Sequence, residues 1–367
     1  ICAKGQPSPG TPGQLPLAAL AGYRAVQRQP LCFDHVVDAD KARGTRSKAY
    51  VVCGMPPPSS GAIAVGQILG ILAHTQAAAL RPEPTALGLV PSAQWLHLYT
   101  EAARLAFADR AQYLGDPDFV APTASTWQSL LAPTYLASRA KLIASGPEAK
   151  RMETVVPGVP GGASSGFAPS PEQPEYGTSH ISIVDAQGHA LAMTTSIEAA
   201  WGSRLMVNCG KGLVGGFLLN NELTDFSFEP TDGSGKPIAN RVAPRKRPRS
   251  SMSPTLVFER DTGRLVLSVG SPGGAFIIHF TAKTLYGVLN WGLDAQAAIN
   301  LPNFAAFRGP TLLEEQRFPA DTIAQLNARG HQVTELALPS GIQAIQSTPQ
   351  GLFGGADPRR EGVVMGD

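Results

Sequence analysis

Gly177-Thr178, followed at once by the alternating run His180-Ile181-Ser182-Ile183-Val184-Asp185, has the makings of a self-cleaving nucleophile. A glycine before the threonine lets the backbone approach closely and tolerate strain. The Thr178 hydroxyl can then attack the Gly177 carbonyl, converting the peptide to an ester that water opens. Cleavage would leave a free α-amine on Thr178. Such a group has a pKa of about 7.7–8, close enough to neutrality to act as base for its own hydroxyl. Gly-Thr alone is an ordinary turn signal, so the weight falls on its surroundings.

Gly273-Gly274 stands before an apolar helical run, where backbone N–H groups at a helix N-terminus stabilise a developing oxyanion. A phosphate cradle is the poorer reading, because neither the Walker lysine nor G-x-G-x-x-G spacing is present. His180 would duplicate the base role of the α-amine, so it reads as a structural histidine on a strand. The seven histidines form no H-x-x-x-H or HExxH pattern. Cys2, Cys32, Cys53 and Cys209 form no CxxC pair and have no metal-ligand spacing. No metal and no cofactor are expected. Buried or incidental thiols are the favoured reading of the cysteines, with a Cys32–Cys53 disulfide left open.

The net charge of +2 argues against a nucleic-acid partner. Arg245, Lys246, Arg247 and Arg249 are not interleaved with aromatic residues and read as a solvated basic loop. With 43% hydrophobic and 16% charged residues, most of the chain can fold into a globular core. No apolar run approaches the roughly 20 residues of a membrane span.

Three stretches must position these groups. In residues 15–145, the strand-like run 50–54 meets the turn Met55-Pro56-Pro57-Pro58-Ser59-Ser60-Gly61. Apolar residues at helical spacing follow over 62–73. Ser92 can cap a second helix over 93–114. Trp95, Leu98, Ala102, Leu105 and Ala106 fall on one face of it, with Glu101, Arg104 and Arg110 largely off that stripe. Residues 146–176 show no periodicity and read as a long functional or disordered loop. From Gly177 onward, strands are expected over 180–185, 190–196, 215–219, 255–258 and 265–269, with turns at Gln187-Gly188 and 261–263. Helices are expected over 276–289 and 321–329, the latter capped by Asp321.

Several of these segments together resemble the gamma-glutamyltransferase family. They are 177–185; Phe217-Leu218-Leu219-Asn220-Asn221-Glu222-Leu223-Thr224-Asp225-Phe226-Ser227; Arg247-Pro248-Arg249-Ser250-Ser251-Met252-Ser253-Pro254-Thr255; and Gly270-Ser271-Pro272-Gly273-Gly274. Upstream, 55–61, Ala106, Asp109-Arg110 and 113–119 are similar to its large subunit. The matches run in the family's order from about Leu15 to the end.

The resemblance implies an α+β fold, the four-layer αββα sandwich of the N-terminal-nucleophile hydrolases. It implies cleavage into 1–177, the C-terminal part of the large subunit, and 178–367, the catalytic small subunit, which then form a heterodimer. Thr178 would be the nucleophile, oriented by the hydroxyl of Ser196, with Gly273 and Gly274 as oxyanion hole. Glu198, Glu222 and Asp225 would hold the substrate α-ammonium group, and Ser250 and Ser251 its α-carboxylate. The substrates implied are glutathione and related gamma-glutamyl compounds, with an amino acid, a peptide or water as acceptor. A periplasmic or secreted location is also implied.

Residues 1–14 do not resemble the family's long N-terminal part, which supplies an arginine to the α-carboxylate. The chain therefore reads as starting within the large subunit. Residues 208–213 read as a small surface insertion, and 227–250 do not match the aromatic lid of some members, leaving the acceptor side open. The rival readings are a glutaryl or cephalosporin acylase of the same superfamily and an inactive truncated fragment.

Overall fold

The computed structural model describes residues 17–39, 44, 46–122, 124, 126–162, 165–173, 177–207 and 216–366. A short helix, α1 (Leu17–Gly22), precedes β1 (Leu31–Val37) and β2 (Lys48–Gly54), which pair antiparallel. Cys32 stands opposite Cys53, their Cα atoms 4.1 Å apart, and the two are joined in a disulfide. The free-thiol reading of these two residues is thereby corrected. Spacing along a chain does not reveal cross-strand register, and register is what brings the two sulfurs together. Cys2 and Cys209 lie outside the described residues, as does the insertion at 208–213.

Helix α2 (Gly61–Ala73) starts where the Pro/Gly turn ends and is buried almost throughout. A small hairpin, β3 (Pro82–Thr85) and β4 (Gly88–Pro91), leads to α3 (Ala93–Tyr113). The Ser92 side chain accepts from Trp95 N at 3.3 Å, the cap expected from sequence. The polar residues off the apolar stripe of α3 are nonetheless buried, because the helix is packed on all sides. Arg104 meets Glu101 at 2.8 Å, and the Glu101 carboxylate also accepts from Met152 N at 2.6 Å. Asp109 accepts from Tyr135 Oη (2.6 Å), Gln67 Nε2 (2.8 Å) and Gly158 N (2.8 Å), linking α3 to α2, to α4 (Pro133–Ala140) and to the loop beyond. Buried charges survive when so partnered.

The stretch read as a structureless loop is pinned at several of its described residues. Arg151 N donates to Arg329 O, Ala168 N to Pro237 O, and Ser170 N to Ala111 O. Its partners are distant in sequence, so no local period announces them.

Past Gly177 come β5 (Ser179–Val184) and β6 (Ala190–Thr195), then β7 (Met206–Val207) paired with β8 (Phe217–Leu218). The remaining elements are β9 (Thr255–Glu259), β10 (Leu265–Gly270), α5 (Ile277–Leu289), α6 (Ala295–Asn300), β11 (Phe304–Ala306), β12 (Thr311–Glu314), α7 (Ala320–Ala328), β13 (Val333–Leu336), β14 (Gln343–Thr348) and β15 (Gly351–Ala356). Pro319, not Asp321, occupies the cap position of α7. Asp321 sits in the first turn and accepts from Gln325 Nε2 at 2.6 Å.

One six-stranded sheet, in the order β1-β2-β9-β10-β14-β15, carries the architecture. The β2–β9 pairing joins strands from before and after Gly177 into one ladder. Helices α2 and α5 cover one face, where Val52, Val257, Leu267 and Val269 pack with Ile68, Leu72, Ile278 and Leu285. The β5–β6 hairpin lies on the other face and turns His180 inward toward Gly270. Its outward residues, Ile181, Ile183, Leu191 and Met193, stand 39–50% exposed. A helical layer, a sheet and a second β layer are thus described, and the fold is mixed α and β with largely antiparallel sheets.

Candidate active site

Gly177, Thr178 and Ser196 meet at the end of the β5–β6 hairpin, where Ser179 pairs with Thr195. Ser196 follows β6 directly, so strand register places it beside the start of β5. Its Oγ donates to the Gly177 carbonyl oxygen at 2.6 Å, and Thr178 Oγ1 donates to the same oxygen at 2.5 Å. Glu198 N in turn donates to Ser196 Oγ at 2.8 Å. An oxygen that accepts from a backbone amide must aim its own hydrogen elsewhere, and here that hydrogen points at the Gly177 carbonyl.

The glycine is required. Its φ is +21°, and a Cβ built there would lie 2.4 Å from Glu198 O. The chain then turns sharply through Glu198, which adopts φ +70°, a region few non-glycine residues enter. Asn221 stabilises this turn. Its Oδ1 accepts from Ala199 N at 3.0 Å, its Nδ2 donates to the Glu198 carboxylate, and its backbone N donates to Ile197 O at 3.2 Å. Glu198 is accordingly buried, at 4% exposure.

Glu222 and Asp225 bracket a single tight turn, Glu222–Asp225. Asn240, fully buried, fixes where this turn sits. Its Nδ2 donates to Asp225 O at 2.7 Å, its O accepts from Ser227 N at 2.9 Å, and its Oδ1 accepts from Arg249 N at 2.8 Å. One asparagine thus joins the acidic turn to the segment that carries Ser250 and Ser251.

That serine segment is clamped from the upstream side. Ser60 N and Oγ both donate to Ser250 O, at 2.8 and 2.7 Å, and Ser250 N donates to Pro58 O at 3.0 Å. Arg110, from α3, donates through Nε to Ser60 Oγ at 2.8 Å and through Nη2 to Ser251 Oγ at 2.5 Å.

The basic run differs from the solvated loop expected. Lys246 and Arg249 are buried. Lys246 Nζ donates to Ala239 O at 2.5 Å, and burial pulls its pKa down to about 8. Arg247 N donates to Asp116 Oδ2 at 2.7 Å. Lys246 thus satisfies carbonyls within its own loop, whereas Arg249 Nη1 reaches the Arg110 carbonyl and Arg247 the buried Asp116 carboxylate, both far off in sequence.

Thr178, Ser196, Glu198, Glu222, Asp225, Ser250, Ser251 and Gly274 line one cleft, with Met252 and Ile277. Gly273 lies next to it, outside the lining. Gly273 (φ +133°) and Gly274 (φ +57°) lead into a 3-10 turn and then α5, and a Cβ on Gly273 would meet the Phe280 ring at 2.8 Å. With Gly177 in place the cleft holds about 20 Å³, room for about one water. A larger cavity of about 390 Å³ lies behind Arg110, walled by Phe107, Phe276 and Phe307.

His180 is two residues from Thr178 but faces away from it chemically. Its ring nitrogens engage Thr194 Oγ1 (2.8 Å) and Ser182 Oγ (3.1 Å), and burial lowers its pKa to about 4. This is the structural histidine expected from sequence. Asn221, Asn240 and Arg110 were given no role by the sequence reading. Asn221 and Arg110 both lie inside quoted motifs, Asn221 in an Asn-Asn-Glu run typical of turns.

The family model described as "Gamma-glutamyltranspeptidase" matches residues 4–367. The "Glutathione hydrolase proenzyme" of Escherichia coli (strain K12) is 35% identical over 346 residues, which is 93% of this chain and 53% of that protein. The "Acylase ACY 1 proenzyme" of Pseudomonas sp. (strain V22) is 29% identical over 346 residues, covering 94% of this chain and 52% of the relative. Among solved structures, the cephalosporin acylase from Bacillus halodurans superposes with a TM-score of 0.72 at 24% identity, over 96% of this chain and 55% of that one, a likeness of fold. The chain spans about half the length of the curated relatives it matches.

Proposed function

Because this chain belongs to the gamma-glutamyltranspeptidase family, we propose that it contributes the catalytic site of an enzyme that cleaves itself at Gly177-Thr178 and then transfers or hydrolyses gamma-glutamyl groups. The observation that carries this reading is the double hydroxyl contact on the Gly177 carbonyl, made inside a cleft lined by Glu198, Glu222, Asp225, Ser250 and Ser251.

In the cleavage step Thr178 Oγ attacks the Gly177 carbonyl carbon. The hydroxyl proton passes to the Thr178 nitrogen, the C–N bond breaks and an ester forms. Ser196 Oγ stabilises the oxyanion in between. Water then hydrolyses the ester, leaving a Gly177 carboxylate and a free Thr178 amine. Departure of the Gly177 end vacates the cleft for substrate.

In turnover the α-amine of Thr178 takes the hydroxyl proton as Oγ attacks the gamma-carbonyl of the donor. The Gly273-Gly274 backbone receives the oxyanion. The proton passes to the leaving amine, and an acyl-enzyme ester remains. Water, an amino acid or a peptide amine resolves it. Three carboxylates converging on one position suit an α-ammonium group, and two serines beside them suit the α-carboxylate.

The two halves would remain together as a heterodimer, since β2 and β9 share a ladder. The Cys32–Cys53 disulfide fits an oxidising compartment, periplasmic or extracellular. A second reading, glutaryl-type acylase, is raised by the ACY 1 relative; that reaction has no ammonium group to engage the three carboxylates. The test is mass spectrometry of the new N-terminus, together with kcat/KM on gamma-glutamyl and glutaryl anilides. Cleavage before Thr178 and preference for the gamma-glutamyl anilide support the proposal. Cleavage elsewhere or a glutaryl preference overturns it.

A further inference from the structure

We propose that Arg110 is a positioning residue for the substrate carboxylate: it sets the direction and donor strength of the Ser251 hydroxyl from across the cleavage boundary. The proposal deepens the functional reading above and rests on its placement of the carboxylate at Ser250 and Ser251.

Arg110 lies on α3, upstream of Gly177, and is 6% exposed. Its guanidinium is held by contacts on both arms and on its face. Nε donates to Ser60 Oγ at 2.8 Å, Nη2 donates to Ser251 Oγ at 2.5 Å, and the plane lies over the Phe107 ring at 5.4 Å. A guanidinium can only donate. The Ser251 oxygen therefore accepts from Arg110, and the serine's own hydrogen is directed away from it. A full positive charge on the far side of that oxygen makes the O–H a stronger donor.

The second arm of the fork acts on the neighbouring serine. Ser60 Oγ accepts from Arg110 Nε and passes its hydrogen to Ser250 O at 2.7 Å. One cation therefore sets both members of the serine pair, Ser251 at its hydroxyl and Ser250 at its backbone. Ser251 lines the cleft beside Thr178, whereas Arg110 does not line it. The serines it holds are the groups that face the cleft.

A lysine at 110 would keep the charge but could not reproduce the two-point fork. The experiment compares Arg110→Lys and Arg110→Gln with wild type in the enzyme produced from its complete gene. It uses anilide substrates in pairs: gamma-glutamyl against 4-aminobutyryl, and glutaryl against butyryl. Within each pair only the carboxylate differs. The readout is the ratio of kcat/KM for the carboxylate-bearing member to that for its partner.

The expected result is a fall in that ratio of about 10- to 100-fold for Arg110→Gln, the scale of one charge-assisted hydrogen bond, appearing mainly in KM. Arg110→Lys falls in between. In a Ser251→Ala background the fall caused by the Arg110 substitutions is smaller than in wild type, because only the arm through Ser60 to the Ser250 backbone is left; an equal fall in the two backgrounds would overturn the proposal. Equal losses on both members of a pair would mean general structural damage and overturn the proposal, as would an unchanged ratio. Preference of the wild type for glutaryl over gamma-glutamyl anilide would overturn the functional reading but leave this test intact, since glutaryl carries the same carboxylate.

Discussion

Ser196 Oγ donates to the Gly177 carbonyl oxygen at 2.6 Å, a contact that would polarise the carbonyl Thr178 attacks in the proposed cleavage. It also orders the turn that follows, because Glu198 N donates back to the same hydroxyl. Ser196→Ala is expected to slow self-cleavage about 100-fold, the scale for loss of one oxyanion donor. Ser196→Thr should retain most of the rate. Precursor and products on a denaturing gel over time give the rates; an Ala variant cleaving as fast as wild type would refute the role. Thr178→Ala should leave the chain whole.

Gly177→Ala would force a methyl to within 2.4 Å of Glu198 O at a φ of +21°. The turn through Glu198 must then shift, and the Gly177 carbonyl with it. We expect a loss of about 1–3 kcal/mol in the stability of the precursor and cleavage slowed well below wild type. Thermal unfolding and the same gel assay read both. An alanine variant of normal stability and rate would show that the backbone here has slack it is not expected to have.

Asn221 holds Glu198 through its side chain and braces the turn through Ala199 N. Asn221→Ala should raise KM for gamma-glutamyl anilide by about tenfold. The effect on glutaryl anilide should be smaller, because that substrate has no ammonium group for Glu198 to meet. Equal effects on the two would contradict the ammonium assignment.

Five buried histidines should make the fold acid-sensitive. Burial lowers the pKa of His180 to about 4 and of His279 and His331 to about 3, and it also lowers His35 and His97. In the unfolded chain each titrates near 6.5. Between those values the unfolded chain binds more protons, so stability is full above about pH 6.5 and is lost as pH falls toward 4. Each group that stays neutral in the fold contributes a slope of about 1.4 kcal/mol per pH unit in that window. Asp109, raised by burial, acts in the opposite sense, as one group against five. Denaturant unfolding at pH 7, 6, 5 and 4 checks the sign; constant or rising stability on acidification would contradict it.

The Cys32–Cys53 bridge closes a short loop, with a sequence separation of 21. The chain-entropy model gives about 3 kcal/mol for a loop of this size. A Cys32→Ser, Cys53→Ser double variant should unfold at lower denaturant by a corresponding amount, and thiol reductant should lower wild-type stability similarly while leaving the variant unaffected.

The elements nearest the chemistry were legible in sequence. Alternation marked β5, the turn after it β6, and Ser92 the start of α3; Gly177, expected to allow a close backbone approach, has positive φ, and Gly273-Gly274 precedes α5. Eight of the nine residues singled out line one cleft, with Gly273 adjacent. What escaped was the support. The burial of Arg249 against the Arg110 carbonyl, the anchoring of Arg151, Ala168 and Ser170 and the pairing of Cys32 with Cys53 all depend on partners outside their own segment.

From its residues alone, the chain determined which groups can react, because nucleophile, carboxylates, hydroxyls and glycines are properties of side-chain type and local spacing. Only the tertiary structure decided what holds them in place. Arg110 meeting Ser251 and β2 lying against β9 are contacts between segments more than a hundred residues apart, and Asn240 joins Asp225 to Arg249 across a loop with no regular period. No local period encodes such contacts; they follow from packing helices and strands into shared layers, which sets positions that the order of residues leaves open.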